Sequence, residues 1–274
     1  MDVVAGLDDR DVDAPHSGIG RMPAGKSLLD GLRLEFGPVD LLGRFFLLAD
    51  AALRERGIYL SFSPLDDLIA VNRRNSNTWR PLVTVFDPTF GGINDENTFA
   101  LLGRDRNGDV VATQAARLYS WTSTSFADEA ETLGLFYPDP ERQRLPNERI
   151  EVTAKSADQL RGRVAYSGGV WFRPDYRGIF LTGILPRISR AYAFTRWYTD
   201  VTTTLMAEQL VNKGVAERCG YTDIDWDVTL RDTRLGTFRC ALLQMKSDQM
   251  LDDLSGFLEK FSAQVDRRVE YRAG

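Results

Sequence analysis

The sequence predicts an α/β protein with one hydrophobic core and a mixed β-sheet flanked by helices. Residues 164–220 show strand, turn, helix, strand and helix in succession, an order that pairs the two strands in parallel. The pair Asn107-Gly108 joins two apolar segments as a hairpin turn does, which adds antiparallel strands. A chain of 274 residues, 43% hydrophobic and 27% charged, has the length and composition for a sizeable core.

Composition excludes several classes of function. The net charge of -5, without a long run of Lys and Arg, argues against a nucleic-acid partner. Apolar stretches fall far short of the roughly 20 residues that span a bilayer, so no membrane partner is expected. The first residues lack the basic and apolar regions of a secretory signal, and Cys219 and Cys240 form no CxxC pair. We therefore expect a cytoplasmic protein with buried thiols.

Histidine-dependent chemistry is also excluded by the sequence. The only histidine, His16, lies in a segment rich in Gly, Pro and Asp that predicts a flexible arm over residues 1–28. Serine-histidine and cysteine-histidine nucleophiles need a positioned imidazole, and zinc sites need imidazoles or a thiolate cluster. No metal site is therefore expected.

Residues 29–245 are predicted to form the folded domain. The alternation of Leu32, Leu34 and Phe36 predicts a short strand, and the following pattern predicts a helix from Asp40 to Gly57. A second helix is expected after Ser63-Pro64. Two strands flank Asp105-Arg106-Asn107-Gly108, for which we predict a two-residue type I′ turn.

An insertion at about 121–147 interrupts this domain. It contains three prolines and one helical pattern, over residues 126–135, and excursions of this kind often cover a binding cleft. The next strand is expected over 164–172. Pro186 is tolerated best in the first turn of a helix, which places the start of the following helix near Thr182.

The last part of the domain continues the alternation of strands and helices. A strand over 201–206 is followed by a helix from about Ala207 that ends at Gly220, and two further strands follow. Residues 246–274 predict an amphipathic helix. Its apolar face is expected to pack either on the domain or on a second copy of the chain in a homodimer, and both alternatives remain open.

The segment Val170-Trp171-Phe172-Arg173-Pro174-Asp175-Tyr176-Arg177-Gly178-Ile179-Phe180-Leu181-Thr182-Gly183 resembles the strand-to-helix signature of the GNAT N-acetyltransferase superfamily. In that signature an apolar strand leads through a proline and a Tyr-Arg-Gly turn into a helix. The Gly220-Tyr221 pair after the next helix also resembles the family. The resemblance implies a GNAT-like α/β (α+β) fold, with a mixed, mostly antiparallel central sheet, splayed strands and flanking helices.

The resemblance further implies a site for acetyl-CoA or another acyl-CoA as cosubstrate. A helix start carries unpaired N–H groups and a partial positive charge, which suit a pyrophosphate, and an arginine adds charge-assisted bonds. The implied cofactor-binding residues are Trp171, Phe172, Arg173, Arg177, Gly178, Ile179, Phe180, Leu181, Thr182 and Gly183.

The chain departs from the family pattern at several positions. Phe180 and Thr182 stand where further glycines are usual, and Asp175 stands where Gln or Arg is frequent. The tyrosine that many members use as a general acid aligns with Ala216. Side chains at 180 and 182 are therefore expected to crowd the phosphates.

Three side chains are candidates for handling the proton that an attacking amine must lose. Tyr166 and Ser167 lie on the central strand, and Glu208 follows the next strand. The first hypothesis is an acyl-CoA-dependent N-acyltransferase in which a primary amine attacks the thioester directly. The alternatives are a non-catalytic module of the same fold that binds acyl-CoA or another acyl ligand, and an acyltransferase that depends on acyl-carrier protein.

Overall fold

The computed structural model describes the backbone of residues 27–273 and the side chains of residues 27–260. The arm expected at 1–28, with His16, lies outside this range except for Ser27 and Leu28, and Leu28 is fully buried. The helices are α1 (Val39–Glu55), α2 (Leu65–Arg74), α3 (Phe126–Glu131), α4 (Pro140–Gln143), α5 (Leu181–Trp197), α6 (Glu208–Val211), α7 (Val215–Arg218) and α8 (Ser247–Ala273). The strands are β1 (Tyr59–Ser63), β2 (Thr98–Arg104), β3 (Val110–Trp121), β4 (Arg149–Val152), β5 (Gly162–Phe172), β6 (Val201–Ala207), β7 (Asp223–Thr233) and β8 (Gly236–Lys246).

The strands of the described chain form one sheet of eight, in the order β1-β2-β3-β5-β6-β8-β7-β4. Each neighbouring pair is antiparallel except β5 and β6, which are parallel. Helix α5 makes the crossover between these two strands, as the sequence predicts. The expected mixed, mostly antiparallel sheet flanked by helices is confirmed.

Alternation of side chains along the strands divides the core between the two faces of the sheet. Ala165 belongs to a cluster under α1, α5 and α8, whereas its neighbours Val164 and Tyr166 belong to a cluster under α2, α3 and the 122–160 segment. The C-terminal helix contributes Met250, Leu254, Phe257 and Leu258 to the first cluster. None of the helices that the structure describes is long and apolar enough to cross a membrane.

Several local predictions were wrong. Residues 32–36 form no strand, because the Phe36 amide donates to the Thr195 carbonyl of α5 (3.1 Å) and not to a neighbouring strand. The helix expected from Ala207 to Gly220 is divided into α6 and α7, since Gly214 adopts a positive φ of 67° between them. Helix α5 begins at Leu181, next to the predicted start near Thr182, but Pro186 lies beyond its first turn, so the argument from proline was wrong.

Two further differences concern the hairpin and the insertion. In the β2–β3 turn only Gly108 has a positive φ, so the connection is not the expected type I′ turn. The Asp105 carboxylate accepts from the amides of Asn107 and Asp109 (2.9 and 3.0 Å) and stabilises a longer turn. The expected helix over 126–135 ends at Glu131. Strand β4, which pairs with β7, was not predicted because four residues carry too little pattern.

Candidate functional site

The central parallel pair of strands separates after only three residue pairs. Val164, Ala165 and Tyr166 pair with Val201, Thr202 and Thr203. Beyond Tyr166 and Thr203, β5 continues to Phe172 and β6 to Ala207 without pairing to each other. The sheet is therefore open in its centre, and the splayed strands that the resemblance implied are present.

A β-bulge in β5 accounts for the opening. Ala115 pairs with Gly168 and Thr113 with Trp171, so two residues of β5 lie opposite one residue of β3. Gly169 has a φ of +61°, and its carbonyl accepts a 2.8 Å hydrogen bond from the Thr113 hydroxyl. The bend leaves Val170 42% exposed, although it lies on a central strand. The backbone of residues 167–172 consequently borders a cleft, which we call the β5–β6 cleft.

Strand β5 ends at a turn rich in charged side chains. Arg173 forms a bidentate pair with Asp175 (2.7 and 2.8 Å) and lies 3.2 Å from Asp105 and 3.9 Å from Asp109. The Arg173 guanidinium holds the pKa of the Asp175 carboxyl below its ordinary value, since the pair is hydrogen-bonded. Arg173 therefore ties the β2–β3 turn to the end of β5, and three carboxylates surround its charge.

Arg177 is turned toward the backbone. Its Nε donates to the Phe172 carbonyl (3.2 Å), and Nη2 lies 3.5 Å from the Thr78 carbonyl. Gly178 follows with a φ of +83°, a conformation that glycine adopts without strain. The next residue, Ile179, is exposed, and its carbonyl accepts a 3.0 Å bond from Arg56 at the end of α1.

Phe180 covers the first turn of α5. It is the N-cap residue, with φ 62° and ψ 22°, and its ring atoms lie within 2.6 Å of the position that a Cβ at residue 183 would occupy. The glycine at 183 is thus required by the ring that lies against it. Leu181 is buried in the core and Thr182 is partly buried. The crowding that the sequence predicts near the helix start comes from Phe180.

The structure separates the three candidate catalytic residues. Tyr166 faces the α2 side of the sheet, where its ring lies 6.2 Å from that of Phe86, and burial raises its pKa well above the ordinary value. Glu208 is on the surface, paired with Arg239 at 2.6 Å. It lies five positions after Thr203, the last β6 residue paired with β5, which corresponds to roughly 16 Å along an extended strand. Trp171 also faces the α2 side and stacks on Trp79 at 5.5 Å.

Ser167 is the candidate that lies at the opening itself, directly after the last pair with β6. It is 5% exposed and faces the α5 side, where its hydroxyl accepts a 2.9 Å bond from the Gln114 side chain. Tyr221 lies beside it, with its ring 4.8 Å from the Arg190 guanidinium. Burial raises the pKa of the Tyr221 phenol, and the positive charge of Arg190 opposes the rise.

This buried cluster of Gln114, Ser167, Arg190 and Tyr221 contains several unsatisfied polar atoms. Within the described residues, Gln114 Oε1, Arg190 Nε and Nη1, and Tyr221 Oη have no hydrogen-bond partner. Arg190 Nη2 donates to the Cys219 carbonyl (2.6 Å) and lies 3.5 Å from Asp253. Gln114 and Arg190 were not singled out in the sequence. The position of Arg190 in the apolar face of a helix was the sequence feature that could have identified this cluster, because a buried cation needs polar partners.

The geometry thus combines an open central strand with a polar cluster at its base. Backbone N–H groups along residues 167–172 can donate to a carbonyl or an amide placed in the cleft. Among the described residues, no group of three or more His, Cys, Asp or Glu side chains has the arrangement of a metal site.

No protein-family model matches the sequence, and no curated protein matches it. Among solved structures, the fold is similar to that of an uncharacterized protein from Bacillus halodurans, with a TM-score of 0.45 and 12% identity over 74% of this chain and 91% of that chain. It is also similar to spermidine N-acetyltransferase from Vibrio cholerae in complex with CoA and spermine, with a TM-score of 0.42 and 12% identity over 72% and 99% of the two chains. A dodecameric structure of the spermidine enzyme gives 0.42 and 10% over 71% and 96%. Two of these three solved structures are of a spermidine N-acetyltransferase.

Proposed function

We propose that this chain is an N-acyltransferase that moves an acyl group, acetyl in the simplest case, from an acyl-coenzyme A to a primary amine. The observation that carries the proposal is the separation of β5 and β6 after Tyr166 and Thr203. A cleft in the centre of a sheet leaves the backbone of residues 167–172 to pair with an extended ligand, as an added strand would. The pantetheine arm of coenzyme A has this character, because it is long, narrow and carries two amides.

In the proposed reaction the amine nitrogen attacks the thioester carbonyl directly. A backbone N–H of β5 polarises that carbonyl and stabilises the oxyanion of the tetrahedral intermediate. The C–S bond then breaks, the amide product forms, and the proton lost by the amine is balanced by the proton that the thiolate gains. No covalent enzyme intermediate is needed, in keeping with the absence of a histidine from residues 27–273.

Ser167 is the side chain that we place nearest to the reacting atoms. It is the first β5 residue beyond the paired segment, and Gln114 fixes its hydroxyl. The Tyr221 phenol beside it extends the polar path toward Arg190. We propose that this hydroxyl pair passes the proton between the amine and the thiolate. Tyr166 and Glu208 are less well placed, because one faces the opposite side of the sheet and the other is paired with Arg239.

The free state of both cysteines, Cys219 and Cys240, fits the cytoplasmic location that the sequence predicts. The amine acceptor belongs to the general class of primary amines. A homodimer through α8 remains a proposal, since this helix already contributes buried side chains to its own domain.

The test is transfer from acetyl-CoA to a panel of aliphatic, aromatic and amino-acid amines, followed by mass spectrometry of the amide and by release of free thiol. We expect a product with at least one class of amine, and a loss of about 100-fold in kcat in Ser167→Ala. The control is Ser255→Ala on α8, whose hydroxyl only bonds the Leu251 carbonyl (3.0 Å) and which is expected to retain activity. Failure of every amine to react, with a folded protein and millimolar donor, would rule out the transferase.

A non-catalytic module that binds an acyl ligand is the second candidate. The position of Phe180 favours it, because the ring packs against Gly183 in the first turn of α5, the turn that would hold a diphosphate. Calorimetry distinguishes the two functions. A saturable heat with acetyl-CoA in the absence of any acyl transfer would support the module.

A further inference from the structure

We infer that this site recognises its acyl donor through the thioester and the pantetheine arm, and that the diphosphate contributes little to recognition. The chain would then use acyl-pantetheine thioesters as a class, of which acyl-CoA is one member. This inference rests on the proposed function, and it specifies which part of the donor the site binds. Three observations carry it: the position of Phe180, the partners of the two turn arginines, and the exposed backbone of β5.

The helix start is covered where a phosphate would have to approach. The aromatic ring of Phe180 lies against Gly183, and one side of it is open to solvent, since the residue is 45% exposed. A phosphate bound at a helix N-terminus must come within hydrogen-bond distance of the amides of the first turn. We infer that the ring packed against this turn occupies the space through which a phosphate would reach those amides.

The two arginines of the turn after β5, Arg173 and Arg177, already bond other groups of the protein. Arg173 is surrounded by Asp105, Asp109 and Asp175, three carboxylates against one guanidinium. A second anion there would meet net negative charge, which opposes binding. Arg177 has no carboxylate within ion-pair distance in the described part of the chain, but its guanidinium is directed at the carbonyls of Phe172 and Thr78. The turn itself therefore offers a diphosphate one cation, and that cation already bonds the backbone. Arg56 reaches the turn from the end of α1, and it also donates to backbone carbonyls, those of Ile179 (3.0 Å) and Ala52 (2.7 Å).

The part of the site that would bind the pantetheine arm is the unpaired backbone of β5 along the β5–β6 cleft. Residues 167–172 span at most about 16 Å at the rise of a strand, and this stretch includes the half-exposed Gly168, Gly169 and Val170. A pantetheine arm can align its two amides with backbone groups over such a length. The charged turn follows the end of this stretch, so a donor bound along β5 would have its diphosphate end near Phe180 and Asp175. The contacts between the pantetheine arm and β5 would then form without any contact to the nucleotide.

The experiment compares donors of decreasing length on the full chain: acetyl-CoA, acetyl-pantetheine and S-acetyl-N-acetylcysteamine, with one amine acceptor. We expect kcat/KM for acetyl-CoA and acetyl-pantetheine to agree within about threefold, and the cysteamine thioester to be at least about tenfold poorer because it has lost one amide pair. A preference of about 100-fold or more for acetyl-CoA over acetyl-pantetheine would overturn the inference, since it would require a diphosphate or nucleotide contact.

The variant Phe180→Gly tests whether the ring is the cause. Glycine tolerates the left-handed backbone of this position, so the fold is expected to be retained. We expect the ratio of kcat/KM for acetyl-CoA to that for acetyl-pantetheine to rise at least about tenfold, through the newly accessible helix amides. An unchanged donor ratio would show that the ring does not exclude the diphosphate and would count against the inference.

Phe36→Gly is the matched control. Phe36 is an aromatic of similar exposure, 41%, but it lies near Thr195, about 20 Å from the start of α5 at the rise of a helix. Its removal is expected to leave the donor ratio unchanged. Binding of the non-acylated arms, pantetheine and CoA, by calorimetry separates this inference from the proposed function. Equal affinities support the inference even if no amine is acylated, whereas much tighter binding of CoA contradicts it while the transferase stands.

Discussion

The Nε2 amide of Gln114 donates a 2.9 Å hydrogen bond to the hydroxyl of Ser167, and this bond joins β3 to β5 at the residue where the sheet opens. Gln114 itself lies between Thr113 and Ala115, opposite the two bulged residues of β5. One side chain therefore fills the gap made by the bulge and also orients the hydroxyl at the base of the cleft. Both residues are at least nine-tenths buried, which makes the bond sensitive to substitution.

The first prediction separates the chemical role of Ser167 from its structural role. Ser167→Ala removes the 2.9 Å acceptor of the Gln114 amide and leaves it only the long 3.5 Å contact with the Ala115 carbonyl, which is expected to cost about 1–2 kcal/mol in the free energy of unfolding. Gln114→Leu removes the same bond but keeps the hydroxyl. If the hydroxyl transfers protons, kcat falls about 100-fold in Ser167→Ala and far less in Gln114→Leu. Equal losses in the two variants, measured beside urea unfolding curves, would assign Ser167 to structure alone.

The second prediction concerns the attachment of α8. Asp253 accepts two 2.8 Å bonds from Arg187 and lies 3.5 Å from Arg190, whose side chain is fully buried. Asp253→Ala leaves two largely buried guanidinium groups without this carboxylate and is expected to cost about 3 kcal/mol in thermal or urea unfolding. The adjacent Asp252→Ala, on the exposed face of the same helix, is expected to change stability by less than about 0.5 kcal/mol. A cost near zero for Asp253→Ala would mean that the ion pair does not hold the helix.

The third prediction compares two glycine-to-alanine substitutions that are expected to change the free energy of unfolding in opposite directions. Gly169→Ala places a side chain in the left-handed region, 3.1 Å from the Cβ of Ala115, and is expected to destabilise the protein by about 1–2 kcal/mol. Gly43→Ala lies inside α1 with no atom within 4 Å of the new Cβ, and is expected to stabilise by about 0.5–1 kcal/mol. Urea unfolding measures both changes. An unchanged free energy of unfolding in Gly169→Ala would contradict a left-handed backbone at residue 169, and with it the bulge as described.

The fourth prediction is a loss of stability in alkali. Burial raises the pKa of the Cys240 thiol from about 9 to about 12, because the charged thiolate is disfavoured in the core. The unfolded chain therefore loses this proton at a lower pH than the folded protein. The resulting stability is fully present below pH 9 and declines between pH 9 and 12, by about 1.4 kcal/mol per pH unit for one proton.

Unfolding by urea at several pH values tests this expectation. Cys240→Ala removes the thiol and should flatten the slope between pH 9 and 12 relative to the parent protein. Native Cys240 should also resist alkylation at pH 8 until the protein unfolds. Rapid alkylation of Cys240 in the native state would contradict the buried position.

Local sequence pattern is sufficient to predict the elements with strong periodicity. The helix over residues 181–197 and the strand over 162–172 follow from strong periodicity and clear boundaries, and both form where they were expected. The motif between them also placed the turn correctly. The strand expected at 32–36 does not form, because pairing of a strand depends on a neighbour and this segment instead bonds the end of α5.

In the candidate site, too, the sequence identified one residue, and contacts between distant segments determined the others. Ser167 was chosen from its place on the central strand. Gln114, Arg190 and Tyr221 come to it from three other parts of the chain, and the nearest of them in the sequence, Arg190, is 23 positions away. Their proximity follows only from the crossing of α5 over the sheet. Tyr166, its neighbour, points to the other face of the sheet, since successive side chains alternate.

The sequence by itself determined the class of fold, the parallel pair around α5 and the turn that resembles an acyl-CoA site, since these depend on local periodicity and on residues adjacent in the chain. The resemblance implied splayed strands, but tertiary structure alone decided that β5 and β6 separate after Tyr166, that the Phe180 ring lies against Gly183, and that Arg173 pairs with carboxylates of a distant hairpin. The physical reason is that strand separation, ring placement and ion pairing are contacts between segments far apart in the sequence, and no local pattern encodes them.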